Sequence, residues 1–168
     1  MYDWNLTDPY LSMWALMGQA FDASNKITET ELGRHDTTLA QFHVMMLLDS
    51  AKVTLTPGEI SSYVFRERHS ISALLTRMQK AGYVRKVRSK KDQRVVRIKL
   101  APKGKELLDQ VKPVGLKNAH DLLASCFSES ELKELDKPLR KLRDRALKQL
   151  GKEAEPLPQV FNTPAVQA

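Results

Sequence analysis

Residues 68–104 read RHSISALLTRMQKAGYVRKVRSKKDQRVVRIKLAPKG, and two changes of rhythm inside this stretch decide the fold. Ile71, Leu74, Leu75 and Met78 fall at i, i+3, i+4 and i+7, which lines one face of an α-helix. Gly82 stands where a left-handed residue closes such a helix. Over 83–88 and again over 94–100 the period drops to two: Val96, Ile98 and Leu100 alternate with Arg97 and Lys99, the pattern of a strand with one buried face. Residues 89–93 are a polar join, so the stretch predicts a helix followed by an antiparallel hairpin whose tip projects into solvent.

Upstream, Thr56-Pro57-Gly58-Glu59 combines a capping box with proline at the first helical position and predicts a short helix over 57–64. The charged run Arg66-Glu67-Arg68 breaks the apolar spacing and predicts a turn. Two helices joined by a tight turn and followed by a basic hairpin are the parts of a winged helix-turn-helix. Val53 to Leu55 is a brief β-favouring piece. Before it, Phe42, Val44, Met45, Met46, Leu47 and Leu48 make a helix apolar on most sides, capped by Thr37 or Thr38, as expected at the centre of a core. Asp8-Pro9 opens a first helix with Leu11, Trp14, Gly18 and Phe21 on one stripe, and Gly33 is expected to stop it.

Downstream, Pro102 opens a fifth helix carrying Leu107, Leu108, Val111, Leu116, Leu122 and Leu123, with a bend expected at Pro113. Ser128 and Glu131 form a second capping box. Leu132, Leu135, Leu139, Leu142 and Ala146 then step by three and four, a coiled-coil-like seam that Pro138 is expected to interrupt. Beyond Gly151 the prolines at 156, 158 and 164 predict an extended arm. The fold class is therefore mainly α with a small β-hairpin wing. The expected organisation is an N-terminal dimerisation helix and arm (1–36), a winged helix-turn-helix lobe (37–101), C-terminal dimerisation helices (102–150) and a Pro-containing tail (151–168), in one domain overall.

A chain of 168 residues that is 42% hydrophobic and 28% charged suits one folded, helix-rich domain. No apolar run approaches the roughly 18 residues of a membrane span, and no basic-then-apolar leader opens the sequence, so a cytoplasmic location without membrane attachment is expected. Cys126 is the only cysteine, which excludes an intrachain disulfide or a thiolate metal cluster, and it is expected to be buried and inert. His35, His43, His69 and His120 are scattered, and there is no Gly-rich phosphate loop, so neither an enzyme nor a cofactor is expected.

Charge is distributed unevenly. Residues 1–60 carry three Lys or Arg against eight Asp or Glu, residues 61–105 carry fourteen against two, and residues 106–168 carry ten of each. The central basic block coincides with the helix-turn-helix and hairpin, an electrostatic footprint for double-stranded DNA. With the apolar positions turned inward, His69, Ser70, Ser72, Ala73, Thr76, Arg77 and Lys80 face outward from the second helix of the motif. There they can meet base edges or phosphates in the major groove, with phosphate favoured for Arg77 because it lies late in the helix. Arg88, Lys90, Lys91, Asp92 and Arg94 surround the hairpin tip, where Asp92 can orient the Arg94 guanidinium for a narrow minor groove. The excess of apolar stripe on the terminal helices predicts a two-fold homodimer.

The run Leu74-Leu75-Thr76-Arg77-Met78-Gln79-Lys80-Ala81-Gly82-Tyr83-Val84, then Asp92-Gln93-Arg94 and, five residues on, Leu100-Ala101-Pro102-Lys103-Gly104, resembles the MarR family signature. The resemblance covers about residues 8–150. It implies a triangular dimer reading a palindromic operator, with residues 68–81 matching the recognition helix and Asp92 and Arg94 the wing pair. It also implies a repressor released by a small-molecule effector bound between the dimerisation helices and the DNA-binding lobe. Trp14, Met17, Phe21, His43 and Met46 are candidates for lining such a pocket, with an aromatic effector in view. One departure is that Ala101 replaces the Thr or Ser common at that N-cap. A sequence-tolerant architectural nucleic-acid binder would share the same charge block and stays open as the alternative.

Overall fold

The computed structural model describes residues 6–51, 53–88 and 94–152. Helix starts follow the capping residues. Asp8 Oδ1 accepts from the backbone N–H groups of Tyr10 and Leu11 at 2.8 and 2.9 Å and opens α1 (Pro9–Gly33). Thr38 N–H donates to Gln41 Oε1 at 2.9 Å while Gln41 N–H donates to Thr38 Oγ1 at 3.2 Å, opening α2 (Leu39–Ala51). The Thr56–Glu59 and Ser128–Glu131 boxes form in the same reciprocal way at α3 (Pro57–Tyr63) and α6 (Glu129–Gln149). Two helices lack a side-chain cap: α4 (Arg68–Lys80), preceded by Glu67, and α5 (Pro102–Cys126), preceded by Ala101.

β1 (Val84–Arg88) and β2 (Val96–Leu100) pair antiparallel, from Val84 opposite Leu100 to Arg88 opposite Val96. Leu55 adds a bridge to Ile98, so the β-favouring piece before α3 becomes a third edge of the hairpin. The core forms around α2, whose Phe42, Val44, Met45, Met46, Leu47 and Leu48 are all buried. Ile60, Ile71, Leu74, Leu75, Met78, Val84, Ile98, Leu108 and Val111 surround it, which places the helix-turn-helix, the hairpin and the start of α5 on one apolar centre. The fold is the expected one: mainly helical with a two-stranded wing.

Three local expectations are corrected. α1 ends at Gly33 as expected, but Gly33 is not the left-handed residue. The turn comes at Asp36, with φ of 51°, while Thr37 N–H donates to Leu32 O and Asp36 N–H to Gly33 O, both at 3.1 Å. This is a Schellman closure in which a short polar residue accepts the left-handed conformation. Pro138 does not interrupt α6, and Pro113 lies inside an unbroken α5. Both prolines are exposed, as are Asp109 and Glu134, the residues four before them whose carbonyls each lose a helical donor. Finally, Cys126 is exposed rather than buried, because the last turn of α5 lies beyond the core and packs against little else in this chain.

Candidate nucleic-acid interface

The two faces of α4 separate cleanly. Ile71, Leu74, Leu75 and Met78 are buried, and His69, Ser70, Ser72, Ala73, Thr76, Arg77 and Lys80 are all exposed on the other side. The Thr76 hydroxyl donates to Ser72 O at 2.9 Å, which holds its rotamer and leaves its lone pairs outward to accept from a base or a bridging water. Arg77 and Lys80 lie in the last turn, where cations also complement the helix dipole.

Both ends of α4 are fixed by backbone geometry. At its entry, the buried Ser61 donates its hydroxyl to Arg66 O at 2.6 Å and accepts the Arg66 N–H on its carbonyl at 3.2 Å. This latch closes the turn between α3 and α4 and forces Phe65 to φ of 51°, a left-handed conformation that is unfavourable by about 1–2 kcal/mol for a non-glycine residue. At its exit Gly82 takes φ of 81°, and Tyr83 N–H donates to Met78 O at 2.9 Å. Tyr83 O then accepts the Ala101 N–H at 2.9 Å. A Cβ on Gly104 would lie 2.1 Å from that same oxygen. The end of α4, the root of the hairpin and the first turn of α5 therefore meet at one backbone contact, and Lys103 covers it with its ammonium 5.4 Å from the Tyr83 ring.

Two cations of the basic block pair with acceptors elsewhere in the fold. Arg97 donates to Thr54 O and lies 3.6 Å from Glu59, tying β2 to the base of α3. Lys105 reaches Asp49 of α2 at 3.1 Å and Asp109 at 2.7 Å. The Asp109 bond first, then Asp49, holds the Lys105 ammonium above its ordinary pKa against the opposing effect of partial burial. Arg88 and Arg94 are exposed at the hairpin. Lys90, Lys91 and Asp92 lie outside the described residues. Arg66, Arg68, Arg85 and Lys86 are also exposed, and the sequence reading did not assign them to the DNA-contacting set. Their signal was present: Arg68 starts the helix whose inward face was already assigned.

A cavity of about 300 Å³ lies behind the α3–α4 turn, lined by Phe42, His43, Met46, Leu47 and Ser50 of α2 and by Tyr63 and Val64. His43 and Met46 are thus brought together as expected. Trp14, Met17 and Phe21 do not line it: they lie on α1, with Trp14 69% and Phe21 66% exposed. Their spacing correctly marks an apolar face, and among the described residues no element covers Trp14 or Phe21. Desolvation by the cavity wall, followed by the charge of Arg66, holds the His43 imidazole below its ordinary pKa of 6.5, which favours the neutral ring. Among the described residues no group of three His, Cys, Asp or Glu could hold a metal ion, and no helix is long and apolar enough to cross a membrane.

Comparison with known proteins agrees with this architecture. The MarR family model matches residues 35–95, which span α2, α3, α4 and β1. An uncharacterized HTH-type transcriptional regulator of Bacillus anthracis is 30% identical over 142 residues, 84% of this chain and 94% of that protein. Among solved structures, the organohalide-sensing transcriptional regulator RdhR in its ligand-free form superposes with a TM-score of 0.78 at 25% identity, covering 90% of this chain and 89% of that one. A variant of MarR from E. coli complexed with operator DNA superposes at 0.73 with 22% identity, covering 82% and 98%.

Proposed function

The chain belongs to the MarR family of HTH-type transcriptional regulators, and from that premise we propose that it works as a homodimer that recognises a palindromic DNA operator and represses transcription until a small molecule releases it. One observation carries the reading. The nine exposed residues of α4 are hydrogen-bonding, cationic or small, without one large apolar side chain among them, and the hairpin beside them adds Arg88 and Arg94. A major groove about 12 Å wide admits such a helix, and Ser, Thr and Ala at its start suit base edges and the thymine methyl. Arg77, Lys80 and the hairpin arginines then supply phosphate and minor-groove contacts.

The apolar surface that the described residues leave uncovered supports the homodimer reading. Tyr10, Leu11, Met13, Trp14, Leu16 and Phe21 on α1 and four leucines on α6 are exposed, far more apolar surface than a soluble monomer presents. Two-fold pairing would place two copies of α4 about one DNA turn apart, roughly 10 base pairs. The cavity beside His43 supports the effector step. It touches Tyr63 and Val64, directly before the strained Phe65, so an aromatic ligand that binds one setting of this turn better than another would shift the population away from the DNA-fitting state.

The test is selection of bound fragments from random genomic DNA, followed by footprinting. The reading expects an enriched inverted repeat protected on one face of two successive major grooves. Fragments enriched by length alone would favour the architectural alternative.

A further inference from the structure

The hairpin is fastened to the helix-turn-helix at one level along β2. Leu55 and Ile98 exchange both backbone hydrogen bonds, Leu55 N–H to Ile98 O at 3.2 Å and Ile98 N–H to Leu55 O at 2.6 Å. One residue nearer the tip, the partly buried Arg97 donates to Thr54 O, and its guanidinium lies 3.6 Å from Glu59 Oε2. That same carboxylate oxygen accepts the Thr56 N–H at 2.6 Å, closing the capping box that starts α3. Arg97 is thus joined to the entry of α3, and α3 is joined to the entry of α4 by the Ser61–Arg66 latch. Toward the tip the side chains turn to solvent: Val96 is 41% exposed, and Arg88 opposite it and Arg94 are exposed as well.

We propose that Arg97 is a positioning residue for DNA recognition: it fixes the angle of the hairpin against α3 and α4, so that Arg94 and the α4 face reach one duplex together. The inference rests on the reading of Arg94 as a DNA contact and adds what aims it. Four residues separate Arg94 from the Ile98 bridge, a lever of up to about 13 Å. A swing of about 15° about that bridge displaces Arg94 by about 3 Å, far more than the tolerance of a hydrogen bond. The bridge alone therefore does not hold the contact, and Thr54 O and Glu59 supply a second attachment off its axis. A planar guanidinium serves both acceptors with a fixed direction, which a lysine ammonium on its flexible stem does not. Glu59 also gives a sign to test: through charge alone its carboxylate opposes DNA, whereas through Arg97 it favours binding.

The test is a double-mutant cycle on the full chain. Affinity for a duplex selected from genomic DNA is read by anisotropy at fixed salt, and circular dichroism verifies that each variant is folded. Arg97→Lys keeps the charge and should weaken binding by about tenfold, because the fork that spans two acceptors is gone. In the Arg94→Ala chain the same replacement should cost less than about twofold, since no contact is left to aim. Glu59→Gln keeps an acceptor for the α3 cap and removes an anion, yet should weaken binding by about threefold. If Arg97 only stabilised the fold, Arg97→Lys would lower Tm and leave the affinity of the folded protein unchanged. If Arg97 itself touched phosphate, lysine would restore binding and the loss would be the same with or without Arg94. Either result, or tighter binding by Glu59→Gln, would overturn the positioning role alone. An Arg94→Ala chain that binds the duplex like wild type would overturn the wing-contact reading beneath it.

Discussion

Replacing Gly104 with alanine tests the contact that joins α4, the hairpin and α5. The added Cβ would lie 2.1 Å from the Tyr83 carbonyl oxygen and 2.8 Å from its carbon, both backbone atoms, so no rotamer change relieves the overlap. The first turn of α5 must move away from the Gly82–Tyr83 turn, which stretches the Ala101 N–H bond to Tyr83 O. Overpacking of this kind destabilises by about 1–3 kcal/mol, and a weakened backbone hydrogen bond adds up to about 1 kcal/mol. The helix preference for alanine over glycine returns about 1 kcal/mol. The expected net loss is about 0–3 kcal/mol, centred on about 1.5 kcal/mol, where the fall in Tm is roughly 3–6 °C at this chain length. Urea denaturation followed by circular dichroism measures it, with Gly33→Ala as the control because nothing lies within 4 Å of a Cβ there. A Gly104→Ala chain as stable as wild type would refute the claim that this glycine sets the α4–α5 geometry.

Three further outcomes follow from the same geometry. Ala101→Ser supplies the missing N-cap acceptor of α5 at a residue already extended (φ −90°, ψ 160°), and should raise the urea midpoint by the equivalent of about 0.5–2 kcal/mol. His43 is held below its ordinary pKa of 6.5, so just below that pH the unfolded chain binds more protons than the folded one. Its contribution to stability is full above about pH 6.5 and is lost as pH falls through the folded pKa; His43→Gln should flatten the stability profile below pH 6.5, and an unchanged slope would assign that slope to other groups. Arg94→Ala should weaken operator binding and reduce the dependence of log K on log salt by about one phosphate contact, measured by anisotropy titration at several salt concentrations. Unaltered binding would remove the hairpin from the interface.

Much of the fold was legible because each boundary has its own local chemistry. Asp8-Pro9, Thr56-Pro57-x-Glu59 and Ser128-x-x-Glu131 state their helix starts in two or four residues, and Gly82 states a stop. The inward face of α4 was legible for a different reason: a 3.6 period with four apolar positions leaves only one way to turn the helix. Long-range closure was less visible. Asp36 rather than Gly33 takes the left-handed turn because the register of the Leu32–Thr37 bond decides it, not the intrinsic preference of glycine. Trp14 and Phe21 show the same limit, since periodicity marks a face as apolar without saying what covers it. The roles of Arg97 and Lys105 depend on Thr54, Glu59 and Asp49, partners that spacing along the chain does not reveal. Part of the basic block is thus structural, while the face of α4 opposite Ile71, Leu74, Leu75 and Met78 is exposed.

The most direct measurement compares the affinity of the dimer for its selected duplex with that for a scrambled duplex of equal length and composition, by anisotropy at about 150 mM salt. Recognition by the outward face of α4 predicts a ratio of roughly 10³ or more, falling when Ser70, Ser72 or Thr76 is replaced. A ratio near one, unmoved by those replacements, would contradict it.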